Sequence, residues 1–373
     1  MKRRLPVVSE STLPPLYAGW MAELLAGPIA EETEATCSDC AMCDKGAKPA
    51  SASEFFYDSR TKCCTYVPGL ANFLVGRILA DDDPAFAKGR ASVESRLQAR
   101  VAVTPLGLGQ PPTFALLYDK TVPASFGHSR ALRCPHYLEQ EGGLCGVWRH
   151  RAAVCTTWFC KYVRGAVGQA FWRALHRLLS GVEQSLSRWC VIQLDVGPEA
   201  LAKLFPMPRQ AGTPDMMDWR SLDGIVDPAV YRSLWGRWLG RETEFYEECA
   251  RLVGSLRWQD VVAIGGPDIQ IFARLVLDAH ARLAAEEIPE RIKIGKLTVI
   301  AANQASSCVS GYSGSDPLDL PRALMEVLPH FDGRPTGEAL RDIRTAAGIA
   351  VDPALVRKLV DFEILVPCDP APG

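Results

Sequence analysis

Residues 133–165 read RCPHYLEQEGGLCGVWRHRAAVCTTWFCKYVRG. Cys134, Cys145, Cys155 and Cys160 fall within this one span, with His128, His136 and His150 in or beside it. Arg130, Arg133, Arg149, Arg151, Lys161 and Arg164 surround it. Thiols gathered with imidazoles and cations point to a metal or iron–sulfur centre before other chemistry. Gly142, Gly143 and Gly146 bracket Cys145, which suits a chain bending tightly round such a centre.

A second group lies upstream. Cys37, Cys40, Cys43, Cys63 and Cys64 occupy EETEATCSDCAMCDKGAKPASASEFFYDSRTKCC, and no cysteine stands between 65 and 133. This stretch is poor in aliphatic residues and rich in turn formers, so it has little apolar material to bury. Structural zinc contributes about 10–16 kcal/mol in small peptides. That is comparable to or above the roughly 5–15 kcal/mol net stability of a whole domain, so one ion could order the segment. The total of 13 cysteines is odd, and MKRRLPVVSESTLPP has no apolar signal region. Both argue against a disulfide framework and for a cytoplasmic metal or thiol protein. Cys190, Cys249, Cys308 and Cys368 are isolated and read as packing or surface residues.

Nine clustered cysteines exceed one four-coordinate site. Two sites, or one polynuclear cluster drawing on both groups, would use eight. The vicinal pair Cys63-Cys64 is hard to seat on one small ion, which favours two metals close together. Four thiolates leave a net charge of about −2 on either Zn²⁺ or [4Fe–4S]²⁺. The flanking cations either offset that charge or stand as solvated surface groups. His136 or His150 leaves room for a mixed or labile centre. If the two groups form one centre, Cys37–Cys64 and Cys134–Cys160 must meet in space.

The downstream group resembles the YkgJ-type family, described as a putative zinc- or iron-chelating domain. The matching residues are Cys134-Pro135-His136, then Gly143-Leu144-Cys145-Gly146-Val147-Trp148, then Arg151, Cys155, Phe159 and Cys160. Upstream, Cys37, Cys40 and Cys43 keep the family's front spacing. Ala152 stands where the family has proline and Thr156 where arginine is common; Ala41 replaces a glycine, Asp44 replaces a second adjacent cysteine, and the double cysteine comes at Cys63-Cys64 instead. The resemblance covers about residues 37–164. It implies metal chelation, and leaves zinc against iron open, and binding against catalysis.

The remainder predicts an α+β, helix-rich fold with an irregular metal-held section. The chain has 373 residues, 48% hydrophobic and 23% charged, with a net charge of −2. That suits two or three soluble domains without a membrane partner, and makes nucleic acid an improbable general ligand. Residues 1–14 read as an extended arm. Helices are expected at 15–26, 68–80, 85–98, 165–189, 228–254 and 258–283. Strands are expected at 99–104, 113–118, 190–196 and 296–302. Asp81, Asp82 and Asp83 read as a turn capping the next helix. A proline-rich loop is expected at 206–218 and a boundary loop at 305–321.

Beyond it, helices at 320–330, 336–347 and 353–362 and a trailing EILVP strand suggest a small winged-helix-like module. Its pattern resembles the peptide-carrying PqqD-like winged helices of peptide-modifying systems. The expected division is 1–196 (cysteine-rich), 197–304 (helical) and 305–373 (winged-helix-like).

The leading reading is a metal-binding protein with a zinc, iron or iron–sulfur centre on Cys37, Cys40, Cys43, Cys63, Cys64, Cys134, Cys145, Cys155 and Cys160, with a redox or modifying activity left open. The alternative is an accessory protein with a structural metal, whose C-terminal module takes a peptide or protein partner. A thiol-redox protein is a third reading, weakened by the lack of a lone C-x-x-C beside a βαβ pattern. Walker A, dinucleotide-binding, HExxH and G-x-S-x-G signatures are absent.

Overall fold

A computed structural model describes residues 13–29, 31–33, 36–43, 56–122, 124–206 and 223–368. Most of the expected N-terminal arm and the proline-rich loop lie outside the described residues. The fold is helix-rich with small antiparallel sheets, an α+β arrangement.

The helix Gly165–Gln193 forms the axis of the larger core. Phe171, Trp172, Leu175, Leu178, Leu179, Val182, Leu186, Cys190 and Val191 are all fully buried. Their three- and four-residue spacing keeps them on one broad face. The face continues unbroken into Cys190 and Val191, so the strand expected at 190–196 is the end of this helix. The β-branched pair Val191-Ile192 has strand propensity, and tertiary burial overrides it. The helix stops where Asp195 (φ 46°) and Gly197 (φ 88°) turn left-handed.

Packed on this axis are Trp258–Ala284, Ala153–Thr157, Asn72–Leu79 and Glu242–Gly254. Trp258–Ala284 is kinked where Gly266 leaves helical geometry ahead of Pro267, which has no N–H to donate. The single helix expected over 228–254 is two, Pro228–Trp235 and Glu242–Gly254, separated by Gly236 and Gly240 at positive φ.

Three other expectations are overturned. Residues 113–118 lie in a helix, Pro112–Thr121, rather than a strand. Proline at its first position is pre-set for a helix start, and a short apolar run does not distinguish the two states. Of 99–104, only Val103–Thr104 is a strand. The boundary loop at 305–321 contains two strands, Ser306–Ser310 and Leu318–Pro321; Ser306–Ser310 lies between Thr298–Ala302 and Leu318–Pro321 in a three-stranded antiparallel sheet. Their serines and aspartates carry no apolar alternation strong enough to be read as strands.

A second core involves Ile292, Val309, Leu320, Phe331, Ile343, Leu359 and Leu365. It therefore reaches back across the expected 304/305 division. Arg291–Ile294 is the centre of its other sheet, between Asp332–Pro335 and Leu365–Pro367. Helices Thr336–Ala347 and Pro353–Asp361 accompany this sheet, the latter capped by the Asp352 carboxylate accepting from Ala354 N at 2.8 Å.

The two cores are joined at the residues that follow Cys160. Tyr162 N donates to Asp316 Oδ2 at 3.1 Å, and Lys161 lies 3.6 Å from Asp316 Oδ1. Arg164 pairs with Asp361 and donates to Leu283 O at 2.7 Å. A Cβ on Gly165 would stand 2.5 Å from Asp361 O, so this seam requires glycine. Among the described residues no helix is long and apolar enough to cross a membrane.

Candidate metal centre

The upstream and downstream cysteine segments meet. Cys134 N donates to Cys64 O at 2.8 Å. Tyr137 Oη donates to Ser59 O at 3.0 Å, 78 residues away in sequence. The Lys62 ammonium, 7% exposed, donates to Gly142 O at 2.8 Å, to Gly143 O at 3.1 Å and to Cys37 O. One buried cation thus gathers three carbonyls from both groups. Lys62 has φ 49°, held by Lys62 N donating to Asp58 O at 2.8 Å.

The local scaffold is irregular. Tyr137–Leu138 and Leu144–Cys145 form a two-residue-deep hairpin, with Tyr137 opposite Cys145. Helix Ala87–Ala99 abuts this hairpin, and a Cβ on Gly89 would stand 1.8 Å from Gly146 O. Only two glycines permit that approach. The hairpin's far end is fixed by Asp81, whose carboxylate takes Arg149 Nη1 at 3.1 Å and His150 Nε2 at 2.8 Å. Asp83 caps the following turn through Ala85 N at 2.9 Å, as expected, and also takes Arg149 Nη2 at 2.8 Å.

All nine cysteines are free thiols within electrostatic reach of others in the set. Burial is the largest cause that pushes Cys37, Cys43, Cys134 and Cys160 up to about 12 and Cys145 to about 11. Burial also raises Cys155 well above the usual thiol range. Cys63 is raised by its hydrogen bond with Cys64 and then by burial. By surface area Cys155 is exposed, yet it is crowded enough for desolvation to dominate. As neutral thiols these groups are protonated at neutral pH, so ion binding must release protons to solvent.

The charge arrangement differs from the sequence expectation. Most flanking cations are engaged elsewhere: Arg149 with Asp81 and Asp83, Arg133 with Glu139, Lys161 with Asp316, and Arg164 with Asp361. Arg151 is the one that turns inward. It is 4% exposed, donates to Trp148 O at 2.8 Å and Cys155 O at 3.3 Å, and stacks 3.6 Å from the Trp148 ring centre. Cys145, Cys155 and Cys37 lie within its electrostatic reach. Lys62 and Arg96 add positive charge beside Cys37 and Cys134.

The histidines turn away from the sulfurs. Opposed residues of an antiparallel pair share a face and neighbours alternate, so His136 lies on the face opposite Tyr137 and Cys145. It rests against helix Ala87–Ala99, with Nδ1 2.7 Å from Ser92 Oγ. Ser92 donates its one proton to Gly89 O at 2.6 Å, so Nδ1 is the donor and Nε2 carries the lone pair. Burial, then Arg96, lowers His136 to about 4. His150 is committed to Asp81 and His128 stands edge-on to Tyr57. The available donor set is therefore sulfur, which suits zinc or iron–sulfur chemistry.

Among the described residues, no group of three or more His, Cys, Asp or Glu side chains is arranged to hold a metal ion as it stands. The donor chemistry fits a soft metal; the protonated thiols do not converge on one point. No family model matches the chain, and no curated protein or solved structure matches it.

Sequence reasoning missed Lys62 and Glu183, and read Asp81 only as part of a capping turn, not as the partner of Arg149 and His150. Glu183 is a carboxyl in the helical core, raised by burial to about 7, that accepts from Tyr17 Oη and from Ala153 N at 2.7 Å. Lys62 carries a signal only in retrospect, as the cation immediately before the vicinal cysteines.

Proposed function

We propose that this chain is a metal-binding protein whose zinc, iron or iron–sulfur centre is built from Cys37, Cys40, Cys43, Cys63, Cys64, Cys134, Cys145, Cys155 and Cys160. The observation that supports it most is the meeting of the two cysteine segments through Cys134 N–Cys64 O and the Lys62 bridge. The thiols raise one another's cost of ionisation unless a cation sits among them. The motif resemblance to the YkgJ-type family leads to the same reading.

A bound metal would supply positive charge to stabilise the thiolates and, if it is iron–sulfur, an electron-accepting group. Arg151, Lys62 and Arg96 then offset the surplus negative charge. The His136 N–H of the backbone already supports Cys134 sulfur in its charged form. The test is metal and acid-labile sulfide analysis of anaerobically purified protein with its visible spectrum, beside Cys155→Ala. Stoichiometric zinc or iron, reduced in the variant, supports the proposal; sub-stoichiometric amounts of every metal end it.

A second reading, the accessory protein, is favoured by the edge strand Thr298–Ala302. Among the described residues it pairs on one side only, and Val299 is 57% exposed. Such an edge takes a peptide by strand addition. In this reading the second core is a winged-helix-like module for a peptide or protein partner. A nucleic-acid role is disfavoured because Arg357 of its last helix is spent on Asp361 and Glu287 O. Salt-insensitive partner capture that survives metal removal would support this reading.

A further inference from the structure

Cys40 and Cys43 are placed unlike the other thiols of the set. We infer that they form a dithiol that reduces a small charged disulfide and closes into a Cys40–Cys43 disulfide as it does so. This activity goes beyond the metal-binding reading and does not depend on it.

The backbone sets the pair. Cys43 N donates to Cys40 O at 3.2 Å, so the two cysteines are the first and fourth residues of a hydrogen-bonded turn. Such a turn holds its end Cα atoms within about 7 Å, and a disulfide spans about 4.4–6.8 Å between Cα atoms. The two sulfurs already hydrogen-bond to each other. Between them Met42 is buried, and Tyr57 N donates to Met42 O at 2.6 Å, which pins the turn to the rest of the thiol region. The nearest alternatives are placed less well. Cys37 stands three residues before Cys40, but its carbonyl is taken by the Lys62 ammonium. Cys63 and Cys64 are adjacent, and neighbouring Cα atoms stand only about 3.8 Å apart across a trans peptide, short of the disulfide range.

Access separates the pair further. A recess of about 350 Å³ opens beside the turn, and of the nine thiols only Cys40 and Cys43 line it. Both are partly exposed. The size is that of a small-molecule site. Among the described residues no aliphatic side chain lines it, and its walls carry both charges, Arg60 and Lys62 with Asp39 and Glu139. Arg60 is held in place by Asp58, with Nε on Oδ1 and Nη2 on Oδ2, both at 3.0 Å. Glu139 is held by Arg133 Nη1 at 2.6 Å. Fixed charges of both signs suit a zwitterionic reagent, one whose S–S bond is flanked by ammonium and carboxylate groups. Cystine and glutathione disulfide belong to this class.

The step is thiol–disulfide exchange. One sulfur of the pair attacks the reagent's S–S bond and forms a mixed disulfide, and the first half of the reagent leaves. The second sulfur then displaces the other half. The protein loses two S–H bonds and gains one S–S bond. The reagent's S–S bond breaks, and its halves depart as two thiols carrying the two protons. Two electrons pass from the protein to the reagent. The Lys62 ammonium is close enough to Cys43 to offset negative charge on the attacking sulfur. The closed disulfide withdraws two donors from the nine, so a metal held through these two sulfurs leaves as it closes.

The experiment treats anaerobically purified, reduced full-length protein with glutathione disulfide, alkylates the remaining thiols, and cleaves before Asp39 and Asp44. The peptide 39–43 then holds Cys40 and Cys43 and no other cysteine. It is expected to convert to its internal disulfide about tenfold faster than any other cysteine in the chain is oxidised. In Cys43→Ser the internal disulfide is lost and Cys40 is left as a stable mixed disulfide with glutathione. The uncharged disulfide of mercaptoethanol, with each rate taken relative to a free dithiol, should show a smaller advantage for this peptide. Oxidation that appears first at Cys63-Cys64, or at one common rate over all nine thiols, overturns the dithiol. An equal advantage with the uncharged reagent overturns the charged-substrate assignment. Metal content measured on the same preparation tests the metal reading separately, so either can fail alone. Should Cys43→Ser fail to fold, the mapping of the native chain decides.

Discussion

The helix Gly165–Gln193 and the thiol region before it are held by opposite means. The helix buries a continuous apolar face, and each fully buried aliphatic side chain on it contributes about 1.5–3 kcal/mol. Its position would survive the loss of any one polar contact. The thiol region has strands two residues long, short turns and nine thiols. It is tied by carbonyls on Lys62, carboxylates on Arg149 and His150, and backbone contacts between segments far apart in sequence. Such a region gains little from water exclusion, and on the proposed reading an ion bound among the sulfurs supplies its stability.

That contrast breaks most decisively on metal removal. Chelation of reduced protein is expected to abolish amide protection across 36–43, 56–66 and 134–160 while leaving 165–193 protected by hydrogen exchange. The loss corresponds to the roughly 10–16 kcal/mol that structural zinc contributes in peptides. Equal protection with and without chelator would show that the thiol region holds itself together. The reciprocal test is Leu178→Ala, which opens a cavity in the helical core. A cost of about 2–5 kcal/mol is expected by denaturant unfolding, with bound metal per folded chain unchanged.

A smaller effect probes the seam between cysteine segments. Lys62→Met removes charged hydrogen bonds to Cys37 O, Gly142 O and Gly143 O. It should destabilise by about 2–3 kcal/mol and speed chelator-driven metal loss. An unchanged loss rate would mean that the sulfurs alone set the seam.

The smallest expected effect is on pH dependence. Glu183 has its carboxyl raised by burial from 4.5 to about 7, so the folded state binds the proton more tightly than the unfolded one. Its contribution is therefore fully present below about 4.5 and is lost as pH rises through 7. Glu183→Gln keeps an acceptor for Tyr17 and Ala153 but cannot ionise. The fall in stability between pH 5 and 8 should flatten by about 1–2 kcal/mol; an unaltered slope would place the titration elsewhere.

Much of the helical part was legible because periodicity is a local property. The stripe from Phe171 to Leu186 and the Asp352-Pro353 helix start are readable from a few adjacent residues. Cys190–Val196 was not, because its β-branched residues favour a strand and only packing against neighbouring helices decides for helix. Residues 306–321 were hidden for the opposite reason: Ser306–Ser310 becomes a strand through partners on both sides. For the candidate site, the nine cysteines and their grouping were legible, since spacing and residue type are written in the chain. The roles of the cations were not. Arg149 and Arg164 read like Arg151, and only the placement of Asp81 and Asp361 separates them.

The sequence by itself determined a helix-rich α+β chain with two clusters of soft donors and no strong catalytic signature. It also required that the clusters meet if they form one centre. The tertiary structure decided that they do meet, that Lys62 and Arg151 are the cations turned inward, and that His136 faces away behind the hairpin. It also decided that Cys40 and Cys43 open on a recess while Cys134 and Cys145 do not. The reason is physical. Residue type and spacing set which groups can bind, but side-chain direction and burial set which of them share one dielectric environment, and those follow from contacts between residues far apart in the chain.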